Sequence, residues 1–294
     1  MTRAAPVVVG IGEVLWDRFP DADRLGGAPA NFAFHAAQLG ADSRIVSRIG
    51  CDADGDRLSK QLEGRNLSLE HLQRDSIHPT GTVLVQLREG QPTYTINDPA
   101  AWDYIQLTED LRHLASRADA VCFGTLSQRN PGSRQTVQEF IRLCPPRAVR
   151  LFDINLRQAF YTRDIIESGL RLATILKLNA DELLEIARIF EWEARTEVVM
   201  RELFHRFPLT LIAVTRGAAG CELHTRAEAI QSPAPEVACI DAVGAGDAFS
   251  AALVIGLLRN DSLQEIADQA NRIGSYVAGQ PGAMPELPRE LVCL

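Results

Sequence analysis

The feature that most constrains the fold is the alternation of short, β-rich apolar runs with longer stretches of helical periodicity. The β-rich runs are Val7–Gly12, Ser43–Gly50, Asp119–Gly124, Ala148–Asn155, Thr174–Asn179 and Leu209–Thr215. The helical stretches lie near Pro29–Leu39, Asp56–Asn66, Ser133–Leu143, Ala180–Phe190 and Glu197–Phe207. Several runs are apolar on both faces, which is typical of strands covered by helices on both sides. The alternation therefore predicts an α/β fold with a doubly wound, mainly parallel sheet.

Two segments interrupt this alternation. Thr80–Ile96 alternates with period two on either side of "REGQP", which predicts a β-hairpin, and Glu13–Pro20 looks extended. We interpret them as a small β-sheet lid over the carboxyl edge of the main sheet; the alternative is an ordinary surface hairpin. The sequence shows no repeat or linker, so a single domain over 1–294 is expected, with lid segments at about 13–25 and 79–104.

Charge and composition exclude several classes of protein. The net charge of −8 and the absence of a basic stripe argue against a nucleic-acid partner. No apolar stretch is long enough to cross a bilayer and no signal peptide is recognisable, so no membrane association and a cytoplasmic location are expected. The six cysteines form no C-x-x-C pair, which favours buried apolar thiols over a zinc or redox site.

Three glycine-rich turns could precede a phosphate-binding helix. "GIGEVL" has Leu15 where the third glycine of a dinucleotide fingerprint belongs, and "GCDADGDR" has Asp56 in place of the P-loop lysine. "DAVGAGDAF" (Asp241–Phe249) instead offers successive bare N–H groups and then Asp247 at the start of an apolar helix. A carboxylate beside a phosphate is costly unless it accepts a proton from the attacking hydroxyl, so Asp247 is either a base for phosphoryl transfer or a helix cap.

With these motifs the sequence resembles the ribokinase-like (PfkB) carbohydrate kinase family. The matching segments, in the family's order, are Gly26–Gly40, Arg48–Leu58, Asp153–Arg157, Lys177–Glu182, Thr215–Gly220 and Asp241–Phe249. The set spans essentially the whole chain, and its order is more specific than any one motif. "GEVLWD", "GGAPANFA" and "YTINDPAAWDYI" look most like fructokinases. The resemblance implies a three-layer α/β/α fold of the Rossmann-like type with a small β-sheet lid.

By this resemblance Asp247 is the general base, which takes the proton of a sugar's primary hydroxyl as that oxygen attacks the γ-phosphorus of ATP. The N–H groups of Gly244, Ala245, Gly246 and Asp247 form the anion hole for the phosphoryl group. Arg157 follows a strand's carboxyl end, and its guanidinium fork suits phosphate oxygens. The alternative for Arg157 is a surface salt bridge.

For the sugar, the resemblance implies that Asp17 and Asn31 bind hydroxyl groups and that Gly27 lets the sugar approach the backbone. Trp102 and Asp103 on the lid are expected to close over the sugar and exclude water. The alternative for these two residues is simple packing within the lid.

For the nucleotide, the resemblance implies that Thr215, Gly217 and Gly220 line the ATP site, with Asn271 beside the adenine and Lys177 near the phosphates. Asn271 is equally an ordinary polar helix position, and Lys177 is equally a strand end. The small-molecule partners are thus a sugar and ATP.

The resemblance also implies bound cations. Asn179 and Glu182 are three residues apart at a strand-to-helix junction, where they would hold Mg²⁺, in part through water; the same pattern is typical of a helix cap. The loop at Asp241 and Val243 would hold K⁺.

The expected activity is ATP-dependent phosphorylation of a sugar primary hydroxyl, with fructose as the favoured sugar. The alternatives with the same chemistry are a 2-keto-3-deoxygluconate kinase, a ribokinase and a nucleoside kinase. A different class is a non-catalytic sugar-binding or regulatory protein on the kinase scaffold, which predicts decay of the base or the anion hole. An exposed lid edge further predicts a homodimer formed through the lid.

Overall fold

The computed structural model describes residues 4–88 and 91–292. Its strands are β1 (Val7–Ile11), β2 (Leu15–Arg18), β3 (Asp23–Gly26), β4 (Asp42–Gly50), β5 (Leu72–Asp75), β6 (Gly81–Arg88), β7 (Gln91–Ile96), β8 (Ala120–Phe123), β9 (Val149–Asp153), β10 (Ile175–Asn179), β11 (Leu211–Thr215), β12 (Cys221–His224) and β13 (Ala229–Ser232). Its helices are α1 (Ala28–Gln38), α2 (Ala53–Glu63), α3 (Glu109–Arg117), α4 (Pro131–Leu143), α5 (Arg163–Leu172), α6 (Ala180–Phe190), α7 (Thr196–Arg206), α8 (Ala245–Arg259), α9 (Leu263–Ala278) and α10 (Arg289–Val292).

The main sheet has nine strands in the described part of the chain, in the order β13-β12-β11-β10-β9-β8-β1-β4-β5. Neighbours from β11 to β5 pair in parallel, whereas β12 and β13 form an antiparallel edge. The chain leaves β1 towards β4 on one side and returns to β8 on the other. Ligands of open α/β sheets bind outside the carboxyl ends of the strands at such a reversal.

Helices cover both faces of the main sheet, because its central strands are apolar on both sides. One core joins these strands to α3, α4, α5, α6 and α7. A second core joins them to α1, α8, α9 and α10. The expected doubly wound, mainly parallel fold is confirmed, including the three layers.

A second, four-stranded sheet (hereafter the small sheet) has the order β3-β2-β6-β7. The predicted hairpin forms β6 and β7, which pair antiparallel, and the predicted extended segment supplies β2. Positions 89 and 90 of its turn, within the expected lid segment 79–104, lie outside the described residues. Residues 101–104 form a 3-10 helix rather than a strand, and Trp102 packs there against Leu15 and Val83 of the small sheet.

No helix in the described part of the chain combines the length and the apolar character needed to span a membrane.

Candidate functional site

A cavity of about 450 Å³ opens at the carboxyl edge of the main sheet, beneath the small sheet. The loops after β1 and β9, the start of α8 and one face of the small sheet enclose it. Nine residues predicted from the sequence, or implied by its resemblance, line this cavity: Asp17, Gly27, Asn31, Arg157, Lys177, Val243, Gly244, Gly246 and Asp247. Residues separated by up to 230 positions in the chain are thus brought to one site.

The start of α8 forms one wall of the cavity, and no side chain caps it. Gly244, its N-cap residue, has φ +81°, and a Cβ there would meet the backbone of Ala283 at 2.6 Å. A Cβ on Gly246 would meet Nζ of Lys177 at 2.9 Å. Gly244 is therefore required by its positive φ and by the backbone of Ala283, whereas a side chain at Gly246 would displace the end of the Lys177 side chain. The first N–H groups of a helix have no intrahelical partner and favour an anion, so this end of α8 suits a phosphoryl group.

Asp247 lies in the first turn of α8 and is 9% exposed. Nδ2 of Asn31 donates a hydrogen bond to its Oδ2 at 2.7 Å. The pKa of Asp247 is raised to about 7, chiefly by burial and also by the nearby Asp153, although Asn31, Lys177 and Arg157 lower it. In the described part of the chain its carboxylate accepts from Asn31 and from no N–H of α8, so the cap interpretation of Asp247 is not realised.

Lys177 lies within β10 and is buried. Its Nζ donates to both carboxylate oxygens of Asp153 at 3.0 Å, and Oγ of Ser250 donates to the same carboxylate at 2.9 Å. Burial lowers the pKa of Lys177, but Asp153, Glu182 and Asp247 more than compensate, so the pKa is raised overall. Lys177 therefore stays charged beside Gly246, at the end of α8 that suits an anion.

Glu13 lines the cavity, although the sequence analysis does not single it out. It lies two residues after the end of β1 and is 4% exposed. Its pKa is raised to about 7, chiefly by burial and also by Asp247. The backbone N–H groups of Glu13 and Ala28 and the charge of Arg157 lower this pKa in part. An acidic residue in the short loop after a buried parallel strand was the signal in the sequence, because that loop lies at the ligand edge of such sheets.

Asp17 on β2 faces the cavity from the small sheet. Burial raises its pKa to about 6; Arg157 and Arg24 lower it, and Asp241 raises it. Gly27 has φ +112°, and a Cβ there would lie 2.5 Å from the carbonyl oxygen of Glu13. The glycine thus allows the first turn of α1 to sit against the backbone that follows β1.

An ion pair connects the small sheet with the loop before α8. Arg24 of β3 donates from Nη1 to Oδ2 of Asp241 at 2.9 Å, and its guanidinium lies over the ring of Phe19 at 4.4 Å. Asp241 also accepts from the N–H of Val243 and of Gly282, at 3.0 and 3.2 Å. Three donors, one of them a cation, already satisfy this carboxylate, so it does not need K⁺ as a partner.

Arg157 follows β9 in a loop whose neighbours Asn155 and Gln158 have φ of +39° and +49°. The residue is exposed, yet its charge lowers the pKa of Glu13, Asp17 and Asp247. An exposed guanidinium near three carboxyl groups is suited to binding an anionic ligand that enters from solvent.

Trp102 and Asp103 do not line the cavity. Both are fully buried; Arg129 lies over the Trp102 ring at 4.1 Å and donates to both Asp103 oxygens at 2.8 and 2.7 Å. The same Arg129 donates to the carbonyl of Asn97, just after β7. The structure therefore gives these residues the packing role that was the alternative in the sequence analysis, at the base of the small sheet.

Four of the residues expected on the nucleotide side lie together outside the cavity, whereas Lys177 lines it. Thr215 ends β11, and Gly217 and Gly220 form the turn to β12. Asn271 of α9 is buried and donates to the carbonyl and the hydroxyl of Ser232 at 2.8 and 3.0 Å. A Cβ on Gly220 would also collide with the Ser232 carbonyl, so these residues support the chain where it enters the loop 233–243.

Asn179 and Glu182 form a capping box at the start of α6. Oδ1 of Asn179 accepts from the N–H of Glu182, Glu182 accepts from the N–H of Asn179, and its other oxygen accepts from the N–H of Leu156, all at 2.8 Å. The helix-cap alternative is therefore realised. Across 4–88 and 91–292 no group of three or more His, Cys, Asp or Glu side chains could hold a metal ion. A divalent ion here would need phosphate oxygens as ligands.

Comparison with known proteins gives consistent matches over almost the whole chain. A family model described as pfkB family carbohydrate kinase matches residues 22–290. A fructokinase of Klebsiella pneumoniae is 31% identical, with 95% of each chain covered. The crystal structure of a sugar kinase from Pyrococcus horikoshii in complex with ATP is 27% identical with a TM-score of 0.79, covering 97% of this chain and 95% of that one. A Vibrio cholerae fructokinase double mutant, in a form with bound fructose, ADP and potassium, is 25% identical with a TM-score of 0.81, covering 97% and 96%.

Proposed function

This chain belongs to the pfkB family of carbohydrate kinases, and from that premise we propose that it transfers the γ-phosphoryl group of ATP to a primary hydroxyl of fructose. The observation that carries the proposal is the buried Asp247 at the uncapped start of α8. A carboxyl group with a pKa of about 7 is ionised in a large fraction of molecules at neutral pH and still basic enough to take a proton.

In the proposed reaction Asp247 accepts the proton of the sugar hydroxyl as its oxygen attacks phosphorus. Asn31 holds the carboxylate in place through its amide. The N–H groups of Gly244, Gly246 and Asp247 and the ammonium of Lys177 receive the phosphoryl oxygens, because these four residues line the cavity. The N–H of Ala245 already donates to the carbonyl of Ala242 at 3.3 Å and would have to turn to the phosphoryl group when it binds. The guanidinium of Arg157 donates to the phosphoryl oxygens from the solvent side of the cavity.

The chain's residues fit ATP through the glycine-flanked start of α8 and the charged Lys177. The nucleoside part would extend over loop 233–243, where Val237 and Ile240 are exposed, towards Thr215, Gly217, Gly220 and Asn271. Mg²⁺ would neutralise phosphate charge, and Asn179 and Glu182 would meet it through water, because their side chains already form the capping box. K⁺ would use the backbone carbonyls of Asp241 and Val243.

The charges that line the cavity favour a neutral sugar. Its acidic residues are Glu13, Asp17 and Asp247, and its cations are Arg157 and Lys177, of which Lys177 is paired with Asp153. A 2-keto-3-deoxygluconate carboxylate would lie beside three acidic groups with one unpaired cation to meet it. The fructokinase relatives support fructose among the neutral sugars.

A nucleoside is the second candidate acceptor. Five apolar side chains line the cavity on the side of the small sheet: Leu15, Phe19, Val83, Ile96 and Leu126. Such a wall could hold a base as well as the apolar face of a sugar ring.

The proposal is tested by ADP release with Mg-ATP against fructose, ribose, 2-keto-3-deoxygluconate, glucose and adenosine, for the intact protein and Asp247→Ala. We expect fructose to give the highest kcat/KM and the variant to lose about 10²-fold or more. Highest turnover with adenosine would move the assignment to a nucleoside kinase. Sugar binding without ADP release from any acceptor would favour a non-catalytic binding protein.

A further inference from the structure

Two buried oxygens at the cavity have no hydrogen-bond partner among the residues that the structure describes: Oε2 of Glu13 and Oδ1 of Asn31. Both side chains line the cavity and are 4% and 2% exposed. Buried acceptors are almost always paired in native proteins, because an unpaired one keeps its full desolvation cost. The pair therefore indicates a ligand that brings its own donors.

The orientation of Asn31 follows from its partner. An ionised carboxylate only accepts hydrogen bonds, so the amide nitrogen of Asn31 must face Asp247, as it does at 2.7 Å. The amide oxygen is consequently turned away from Asp247 and is left without a donor.

Glu13 is held beside the same group. The backbone N–H groups of Glu13 and of Ala28, the first residue of α1, support its carboxyl group. Gly27 lets α1 pack against the carbonyl of Glu13, which fixes the distance between this backbone and α1, the helix that carries Asn31. Glu13, Asn31 and Asp247 thus form one polar corner of the cavity.

We propose that Glu13 is a specificity-determining sugar contact, whose Oε2 accepts a hydrogen bond from a hydroxyl beside the one that is phosphorylated, while Oδ1 of Asn31 accepts from a second. This inference rests on the proposed kinase function and deepens it. The acceptor must carry O–H donors at two positions near its reacting primary hydroxyl. A site built to pair with hydroxyls rejects an analogue that lacks one, since its own buried acceptor is then left unpaired.

The test compares the intact protein with Glu13→Ala, Glu13→Gln and the control Glu228→Ala. Glu228 is an exposed residue between β12 and β13, remote from the cavity. Each protein is assayed for kcat and KM with the acceptor most active in the panel above and with its singly deoxygenated analogues. Dissociation constants for the same sugars without ATP are measured by calorimetry, and a thermal melt verifies folding.

We expect Glu13→Ala to lower kcat/KM for the parent sugar about 10- to 100-fold. One deoxy analogue should lower it by a similar factor in the intact protein and by less than about threefold in Glu13→Ala, because the lost hydroxyl and the lost acceptor are the same contact. Glu13→Gln keeps an acceptor oxygen and should retain more activity than Glu13→Ala. Glu228→Ala should match the intact protein.

Losses in Glu13→Ala that are equal for the parent sugar and every deoxy analogue would overturn the inference, as would an unchanged KM. If the intact protein phosphorylates no acceptor, the proposed function fails by itself, and the dissociation constants decide on Glu13. A position-specific loss of affinity would then support the contact, and uniform affinities would overturn it. Should Glu13→Ala not fold, Glu13→Gln with the deoxy series decides in the same way.

Discussion

Asp247 combines burial, a single amide partner and a position in the first turn of α8. These properties conflict in an ordinary structural residue, because an isolated buried carboxylate is costly unless it is paired. Here Asn31 donates to it, while Asp153 and its partner Lys177 lie nearby with opposing effects on its pKa. The raised pKa shows that the ionised form of Asp247 is destabilised in the folded protein. Such a shift is common for catalytic acids and bases.

The pH dependence of kcat/KM should report this group. Because the base must be ionised, kcat/KM is expected to fall about tenfold per pH unit below an apparent pKa of about 7. The pKa of Glu13 is also raised to about 7, and Glu13 interacts with Asp247. Arg157 acts on both carboxyl groups, and Lys177 and Asp153 act on Asp247, so the apparent pKa belongs to the coupled group. A phosphate also ionises near 6; the residual rate of Asp247→Asn is therefore measured over the same range and should lack this limb. A rate that stays level down to pH 5 in the intact protein would contradict the assignment.

The same pKa shift predicts the effect of Asp247→Asn on stability. The folded state holds the proton of Asp247 to higher pH than the unfolded state, so this group stabilises the fold at low pH and the contribution is lost as pH rises through about 7. At pH 8 the variant should therefore be more stable than the intact protein, by about 1–3 kcal/mol. The difference should shrink at pH 5, and denaturant melts at both values measure it. A variant less stable at pH 8 would count against a buried, costly carboxylate.

At the start of α8, backbone N–H groups are proposed to bind the phosphoryl oxygens. The conformation of this backbone depends on Gly244. Gly244→Ala places a Cβ at φ +81° and 2.6 Å from Ala283. We expect kcat to fall at least about tenfold and stability to fall by about 1–3 kcal/mol. Gly282→Ala is the matched control, because Gly282 has φ +77° but open space around its Cβ. Equal effects in the two variants would show that positive φ alone, and not the shape of the loop, is what matters.

The small sheet and the loop before α8 are joined by Arg24 and Asp241. Arg24→Gln should change stability by less than about 1 kcal/mol, because Arg24 is 37% exposed. We expect kcat to fall about tenfold, since the ion pair positions the loop that presents Val243 and Gly244 to the cavity. Arg57→Gln removes another ion pair of the small sheet, with Asp23 beside Arg24, and should leave kcat within about twofold. A similar kcat in both variants would contradict a role of the Arg24–Asp241 ion pair in positioning the loop.

The proposed K⁺ site is tested by the same kcat measurements in KCl and in NaCl.

The sequence predicted elements best where periodicity is uninterrupted. Ala180–Phe190 was predicted to the residue, and all six β-rich runs became strands of the main sheet. The helix α5 and the antiparallel pair β12–β13 were not predicted. The two strands have four residues each, which is too few for a period to show.

Site residues that belong to motifs were found from the sequence, whereas those defined by contacts across the chain were not. Asp17, Asn31 and Asp247 reach one cavity as expected. Glu13 and Arg24 were missed. The position of Glu13 shortly after a buried strand is visible in the sequence, but its burial beside the cavity and the pairing of Arg24 with Asp241 depend on distant parts of the chain. Trp102 was expected above the sugar but lies buried beneath Arg129, because the chain turns into a 3-10 helix after the small sheet.

For the whole molecule we propose a single kinase domain in which the small sheet serves as the lid, and a homodimer formed through it. β3 and β7 are the outer strands of this sheet, and Leu84 on β6 is 43% exposed. Unpaired strand edges favour pairing between copies. Light scattering at micromolar concentration should give twice the chain mass of 32.3 kDa. A monomer at that concentration would contradict the dimer and leave the lid proposal unaffected.

The central claim is that Asp247 takes the proton during phosphoryl transfer. Rapid-quench measurement of a single turnover, with γ-labelled ATP and the preferred acceptor, tests it apart from product release. Asp247→Asn keeps the hydrogen bond to Asn31, so ATP and acceptor should bind with dissociation constants within about threefold, while the transfer step slows by about 10²-fold or more. Transfer within tenfold of the intact protein would show that another group, or none, accepts the proton.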